Sequence, residues 1–547
     1  MHFKNGYPTL ESIKHIFTLT PRRLVLGTTL FLMVFANDAF FRHLSEAVTF
    51  SADNALFYMA VVILFCSLAL LITQLLSIIL PVRFVCGLLI FSSALSTYFM
   101  DKFGIVIDTD MLTNVLQTNV SEAEDIFTAD LFTQIVLFGL VPVLFIFLAP
   151  FRNPGRVAML RNHIQIVAVS SLLILFNLGL FNSHYASFFR EHRYIRYYTN
   201  PFYPVHSVIK IMLTLITQTP TGELKILDAN PTIAETDLDH HELIIFIIGE
   251  TARVDHFSLN GYARNTNPEL SKISDLISYT NVTSCGTSTA VSVPCMFSFS
   301  DEKSFDVETA TQTQNVLDIL SKAGVSVLWR ENNSSSKGVA ERIVYQNFKT
   351  PEMNPVCDPE CRDIGMLSGL QDYVDAQHGD VLIVLHQMGS HGPAYYKRYP
   401  PTFSVFEPAC QTNILSDCQN AEIINAYDNS ILYTDYFLSQ VISFLQSNST
   451  NHETAMFYMG DHGESLGEYG VYLHGLPKVI APKEQVHVPL IIWASETSDI
   501  DVEQTKALAD LPGSHDALAV SLLTLFEIDS PLLNENQNKP LIVMKKE

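Results

Sequence analysis

Positive charge is scarce in this 547-residue sequence: 33 Lys and Arg stand against 56 Asp and Glu, a formal net charge of −23. No cluster of Lys and Arg occurs in its polar half. That excludes a nucleic-acid partner, because phosphate contacts need concentrated cations. The acidity itself serves solubility. The cysteines lack C-x-x-C spacing, the usual signature of a cysteine zinc site. Repeats and low-complexity tracts are also missing. The first apolar run does not end in a small-residue cleavage site, so an uncleaved anchor is expected rather than a removed signal peptide.

Apolar residues, in contrast, make up 48% of the chain, and the long runs lie before about residue 180. A spanning helix needs about 20 apolar residues. About five candidates of that kind are Leu24 to Leu44, Ala55 to Leu80, Val82 to Met100, Leu131 to Ala149 and His163 to Leu180. Asp38, inside the first, is costly in lipid and is expected to face protein. Lys4, Lys14, Arg22, Arg23, Arg83, Arg152, Arg156 and Arg161 fall in alternate connections, which are therefore cytoplasmic. The polar half then lies on the opposite side. Residues 1–182 are expected to form a transmembrane domain. Residues 183–240, where Tyr185, Phe188, Phe189, Tyr194, Tyr197 and Tyr198 mix with arginines, are expected to be an interfacial helical linker. Residues 241–547 form the soluble domain.

That domain reads as α/β. Leu243 to Gly249, Val325 to Trp329, Val381 to Leu385, Ala455 to Met459 and Val488 to Trp493 are continuous apolar runs of strand length. Helix-length stretches such as Gln314 to Ala323 and Ala421 to Gln446 lie between them. Strands apolar on both faces and alternating with helices indicate a mostly parallel sheet covered on both sides. Ligands of such sheets bind at the carboxyl ends of strands.

Polar residues gather at those ends. Glu250 follows the first strand, His386 and His391 follow another, and Asp461, His462 and Glu464 follow a third. Carboxylates and imidazoles from separate strands suit one zinc ion, and manganese less well. A second signal is the hydroxyl-dense segment from Thr283 to Cys295, whose two cysteines would pin it as a rigid loop. Spacing alone leaves Thr287, Ser288, Thr289 and Ser292 open as its nucleophile, which metal coordination would activate. Cys285 with Cys295, Cys357 with Cys361 and Cys410 with Cys418 form close pairs, expected to be disulfides in an oxidising compartment. Cys66 and Cys86 lie in apolar runs and read as inert core thiols.

Four segments carry a resemblance: Gly249-Glu-Thr-Ala-Arg253, Ser284 to Phe297, Gly389-Ser-His-Gly-Pro-Ala-Tyr-Tyr396 and Gly460-Asp-His-Gly-Glu-Ser-Leu-Gly467. In this order they closely resemble the lipid A phosphoethanolamine transferases, a family that includes the mobile colistin-resistance enzymes within the alkaline-phosphatase-like superfamily. The resemblance spans nearly the whole chain. It implies about five membrane helices before an alkaline-phosphatase/sulfatase-like α/β domain in the periplasm, anchored as a multi-pass protein of the bacterial inner membrane.

The resemblance also implies roles. Glu250, Thr289, Asp461 and His462 would hold zinc, one ion expected with room for a second, and Thr289 would be the nucleophile. His391 and His474 would stand near the transferred group, binding substrate or a second zinc. Lys337 and Ser334 would lie near the phosphate, and Asn114, Thr118 and Glu122 would contact a lipid headgroup. The donor is phosphatidylethanolamine, the acceptor lipid A of lipopolysaccharide, and the chain a monomer. The alternative is phosphoethanolamine or phosphoglycerol transfer to another envelope glycan. A sulfatase activity lacks its C-x-P-x-R context. Ser336 and Ala340 replace a cysteine pair found in several relatives, and a pair near the C-terminus is missing. His256, His386, His452 and His487 receive no role.

Overall fold

The computed structural model describes residues 18–48, 51, 54–117, 125–217, 224–234, 241–358, 360–536 and 538–545. Two compact units partition the chain. One joins Met1–Thr109 to Phe127–Ile216, the other Asp110–Ile126 to Thr217–Glu547.

The first unit is helical. Ala55–Ile79, Val82–Phe103, Ala129–Leu148 and Arg156–Leu180 are each long and apolar enough to cross a membrane. The first expected span is broken: Pro21–Phe35 and Asp38–Ala47 meet at 62°. The cause is a buried amide pair. Asn37 Nδ2 donates to Leu32 O (2.9 Å) and Asn200 O (2.8 Å), and its Oδ1 accepts from Asn200 N (3.0 Å). Asn200 Nδ2 in turn donates to Ala36 O, Ser93 O and Thr97 Oγ1. Backbone groups freed by the break are thereby satisfied, as apolar surroundings require. Asp38 does not face protein as expected. It is exposed in the first turn after the break, and Asn37 is the buried polar residue instead.

The helices Asn182–Glu191 and Phe202–Thr217 follow, joined by a 3₁₀ turn over Arg193–Tyr198. Tyr185, Phe188 and Tyr198 are buried, and the first two pack their rings on Phe57. These aromatics are packed within the helical unit, whereas Phe189 and Arg190 are exposed. Further along, Thr232–Ile233 pairs with Ile528–Asp529, so this stretch of the expected linker is built into the second unit.

The second unit is organised by one eight-stranded sheet. In chain order its strands are β1 His241–Gly249, β2 Ile277–Thr283, β3 Ser326–Glu331, β4 Val344–Asn347, β5 Val381–His386, β6 His452–Gly460, β7 His487–Ala494 and β8 Gly513–Ser514. In space they run β8-β2-β7-β6-β1-β5-β3-β4. Only β7 is antiparallel to its neighbours β2 and β6; the remaining pairings are parallel. Alternation along β1 sends Ile244, Phe246 and Ile248 into one apolar core and Leu243, Ile245 and Ile247 into the other. The helices Val316–Ala323 and Asn420–Asn448 pack on opposite faces. The three strands the hydropathy did not mark are an alternating one and two that are polar or very short: β2, β4 and β8. All three expected disulfides are formed, Cys285–Cys295, Cys357–Cys361 and Cys410–Cys418.

Candidate active site

β1 and β6 are adjacent and parallel in register, with Gly249 beside Gly460. The residues that follow them, Glu250 and Asp461, therefore emerge side by side. Asp461 N donates to Gly249 O (2.9 Å), locking the two ends. Close approach here depends on small residues. Gly389 has φ +52°, and a Cβ on it would fall 2.8 Å from Glu250 O. A Cβ on Gly463 would fall 2.0 Å from Glu484 O.

Four groups converge. Thr289 Oγ1 lies 3.1 and 3.4 Å from the Glu250 carboxylate oxygens and 3.3 Å from His462 Nε2. His462 Nε2 is 3.5 Å from Glu250 Oε1 and 3.4 Å from Asp461 Oδ2. Both acids and the imidazole are fully buried. Asp461 Oδ1 accepts from the backbone of His462 (2.7 Å) and Thr251 (3.1 Å), whereas Oδ2 has no hydrogen-bond partner among the described residues. His462 Nδ1 is 2.9 Å from Gly463 O, to which it donates, and Nε2 then offers its lone pair inward. Burial pushes Asp461 up to about 6 and, with His474 adding to it, His462 down to about 4. An inward-facing carboxylate oxygen without a donor, beside a second carboxylate and a neutral imidazole, is the donor set of a divalent cation.

The hydroxyls left open by spacing differ in their partners. Thr287 Oγ1 donates to Leu476 O (2.6 Å), and Ser292 Oγ accepts from Gly286 N (3.2 Å). Among the described residues it is Thr289 whose hydroxyl meets the acids. It opens the helix Thr289–Met296, and Cys285–Cys295 ties the preceding loop to that helix's last turn. Removing the bridge in C285S/C295S is expected to lower unfolding free energy by about 2–3 kcal/mol, the loop-closure worth of so short a crosslink. A lowered thermal midpoint would report it.

A second group, Glu250 with His391 and His474, also brings its ligand atoms within 4.8 Å of one another. Burial, with His474 and Arg398 contributing, holds His391 well below the usual imidazole range, and burial alone takes His474 down to about 4. His474 Nδ1 is 2.7 Å from Glu464 Oε2, and Tyr395 OH donates to Glu464 Oε1 (2.6 Å). Burial raises Glu464 to about 8. Lys337 is buried at φ +51° and close enough to His391 to depress that imidazole further. Thr251 (φ +51°), next to Glu250, and Leu473 (φ +63°), next to His474, share this left-handed backbone. Each costs of order 1–3 kcal/mol, strain of the kind that collects at functional sites.

Ser334 is buried on the same loop as Lys337, with its carbonyl bonded to Lys349. Asn114 lies on the helix Thr109–Gln117, whose Met111 sits against Gly475, the residue after His474. Thr118 and Glu122 lie outside the described residues. Of the histidines given no role, His256 is bonded to Asp428 (2.6 Å). His386 is buried against Glu331 (3.0 Å).

Three residues support the site without having been given a role by the sequence. Asn333 Nδ2 donates to Glu250 Oε2 (2.7 Å), and Glu464 orients His474. His515 is fully buried: its Nδ1 accepts from Cys285 N (3.2 Å), so its Nε2–H donates to Gly460 O (2.9 Å). One imidazole thus ties the Thr289 loop to the strand end that carries Asp461. Burial takes His515 down to about 3, below its unfolded value near 6.5. The unfolded chain therefore binds this proton first, and stability is lost as pH falls from about 6.5 toward 3, at up to about 1.4 kcal/mol per pH unit. His515→Gln keeps a donor and an acceptor but does not titrate. Its thermal midpoint is expected to fall less steeply than wild type below pH 6, and an unchanged slope would contradict the assignment.

Comparison with known proteins agrees with this geometry. Residues 242–528 match the Sulfatase family model and residues 64–215 the model described as "Phosphoethanolamine transferase EptA/EptB". The chain is 42% identical to phosphatidylethanolamine transferase Mcr-1 of Escherichia coli, covering 93% of this chain and 96% of that one. It is 37% identical to phosphoethanolamine transferase EptA of Salmonella typhimurium, over 87% and 88% of the two chains. The solved structure of the integral membrane lipooligosaccharide phosphoethanolamine transferase A from Neisseria meningitidis superposes with a TM-score of 0.88 at 31% identity, covering 93% and 96%. Similarity of this extent, over both units and with the converged acid–imidazole–threonine site, establishes that the chain belongs to the phosphoethanolamine transferase family.

Proposed function

We propose that this protein moves phosphoethanolamine from phosphatidylethanolamine to a phosphate of lipid A through a covalent intermediate on Thr289. The observation that carries the reading is the Thr289 hydroxyl held 3.1 Å from Glu250 and 3.3 Å from His462 in a buried pocket of acids. Glu250, Thr289, Asp461 and His462 would hold one Zn²⁺, which would acidify the Thr289 hydroxyl and draw charge from the phosphoryl oxygens. Glu250, His391 and His474 are the set that would take a second ion. Mcr-1 and EptA, named as transferases of this group, support the donor and the transferred unit.

Thr289 Oγ1 attacks phosphorus, and the bond to the diacylglycerol oxygen breaks. Glu464 and His474 share one proton near neutral pH, because Glu464 holds it up to about 8 and bonds directly to the imidazole. That pair would protonate the departing oxygen, while the Thr289 proton passes to Glu250. Lys337 would neutralise the bound phosphate, with Ser334 beside it. Asn114, Thr118 and Glu122 would meet the donor headgroup. A lipid A phosphate oxygen then bonds to phosphorus as the bond to Thr289 Oγ1 breaks; the proton held on Glu250 would return to Thr289 Oγ1 and the proton of the lipid A phosphate to the Glu464–His474 pair. The catalytic unit would face the periplasm, where its disulfides persist, with the apolar helices in the inner membrane.

Masking a phosphate removes negative charge from the outer surface, so cationic peptides such as polymyxin bind less well. Mass spectrometry of lipid A from cells expressing the chain is expected to show an added phosphoethanolamine. Unmodified lipid A, with the group found on another envelope glycan, would overturn the acceptor.

A further inference from the structure

The segment Asp110–Ile126 falls in sequence between the apolar helices Val82–Phe103 and Ala129–Leu148, yet it belongs to the second unit. Near its start, Met111 backs the loop that carries His474: a Cβ on Gly475 would fall 2.7 Å from Met111 Cε. Near its end, Asp125 is buried in an ion cluster that the transfer chemistry above does not use. Asp125 Oδ2 accepts from Arg398 Nη2 (2.9 Å) and Oδ1 from Lys397 Nζ. The Asp125 carbonyl accepts from Asn413 Nδ2 (2.6 Å).

Arg398 carries this contact into the site. Its guanidinium is buried, and each of its three nitrogens is engaged. Nη1 donates to both oxygens of Glu360 (2.6 Å each), Nη2 to Asp125, and Nε to His391 O (2.6 Å). Glu360 sits in a small hairpin in which Cys357 pairs with Cys361, closed by the disulfide between them. One edge of the guanidinium is therefore held by a crosslinked turn. A guanidinium is planar and its N–H groups form a rigid fork. Two carboxylates that fix Nη1 and Nη2 also fix the direction of Nε–H, and with it His391 O. His391 depends on that hold. Its Nδ1 has no hydrogen-bond partner among the described residues, whereas His474 Nδ1 lies 2.7 Å from Glu464. The ring nitrogen bond that usually orients a working imidazole is missing at His391, so its ring takes its place from the backbone and from packing on His474, with centroids 5.6 Å apart.

We infer that Asp125 is a positioning residue of the active site, acting through Arg398 to hold His391 beside Glu250 and His474. The inference rests on His391 being a working member of that group, as proposed above. It makes a segment that lies between two membrane helices in sequence part of the apparatus for transfer. Asp125→Ala removes one of the two carboxylates on Arg398. Arg398 keeps both bonds to Glu360, so no buried cation is left unpaired. Lys397 is a third exposed and can be solvated. The backbone bond from Asn413 also survives, so the segment stays attached while the fork is free to tilt.

The test follows phosphoethanolamine transfer from phosphatidylethanolamine to lipid A by the purified full-length chain. Asp125→Ala is expected to lower the rate at saturating donor about tenfold, the worth of one charge-assisted hydrogen bond, and to leave the half-saturating donor concentration unchanged. Arg398→Lys keeps a cation between Asp125 and Glu360 but has no Nε–H for His391 O, and should lose as much. Lys397→Met removes the other partner of the same carboxylate and should stay within about twofold of wild type. In a His391→Ala background, adding Asp125→Ala should cost less than about twofold more, because the residue it acts on is gone. In chelator, hydrogen exchange read by mass spectrometry should quicken in the peptide from Gly389 to Arg398 of Asp125→Ala and stay slow in the central strands, which also certifies the fold. An additive loss in the double variant would overturn the inference, as would a raised half-saturating concentration at an unchanged rate. Wild-type transfer by both Asp125→Ala and Arg398→Lys would do the same. Wild-type transfer by His391→Ala would instead remove the reading of His391 itself, and this inference with it.

Discussion

Thr289→Ala is expected to reduce transfer at least about a thousandfold and to leave no phosphoethanolamine on the protein. That factor corresponds to about 4 kcal/mol of lost transition-state stabilisation, in line with removing a nucleophile while binding survives. The variant should fold normally. Thr289 is the first residue of its helix, and alanine is the best helix former. Its hydroxyl turns toward the acids and His462, and no side chain caps this helix, so no cap is removed. Thr289→Ser separates the roles further. Serine keeps the oxygen but loses the β-branch that restricts χ1, so it should retain activity within about tenfold of wild type, the worth of a loosened rotamer. Lipid A mass spectrometry reports both variants, and full transfer by the alanine variant would remove the nucleophile from the account.

The second large effect is on the acids, and its sign depends on metal. Asp461→Asn keeps the side-chain shape and the oxygen that accepts from His462 N and Thr251 N. It replaces an inward-facing anionic oxygen by a neutral group. Zinc affinity and transfer should both fall by about a hundredfold or more, since a neutral amide is a poor ligand at a zinc site. In chelator the order of stability should invert. Glu250 and Asp461 are at most 1% exposed, and Asp461 Oδ2 has no hydrogen-bond partner assigned among the described residues. Two buried carboxylates without a cation destabilise the fold, so the metal-free Asn variant is expected to melt no lower than metal-free wild type. With zinc present, wild type should melt higher, because metal bound only by the folded state adds its binding energy. Metal content by mass spectrometry and thermal unfolding with and without chelator check both halves.

Much of this site was readable because it is assembled from strand ends. The apolar runs of β1, β5 and β6 are unambiguous, and Glu250, His386 and Asp461 follow them directly. Neighbouring strands in a parallel sheet must bring such residues together. Cysteine pairs ten, four and eight residues apart were equally legible, since short loops close readily. What escaped depends on distant partners. His515 acts on Cys285, 230 residues away, and Asn37 breaks the first span only because Asn200 arrives from 163 residues along the chain. Neither residue type at its own position announces that role. Asp38 drew attention as the charge in an apolar run, yet the neutral amide before it proved the buried one. Spacing alone did not separate Thr289 from Thr287, Ser288 and Ser292; the family resemblance singled it out, and the bonding partners of Thr287 and Ser292 agree with that choice. Asn333 and Glu464 stood inside or beside recognised segments, but nothing local says that one orients Glu250 and the other His474.

The central claim is that one cation joins two acids, one imidazole and the threonine hydroxyl. Anomalous diffraction at the zinc edge, from crystals of the full chain grown with zinc, tests it most directly. A peak is expected with oxygens of Glu250, Asp461 and Thr289 and Nε2 of His462 at about 2.0–2.2 Å. A peak elsewhere, or one that leaves the Thr289 oxygen beyond coordination distance, would contradict the account.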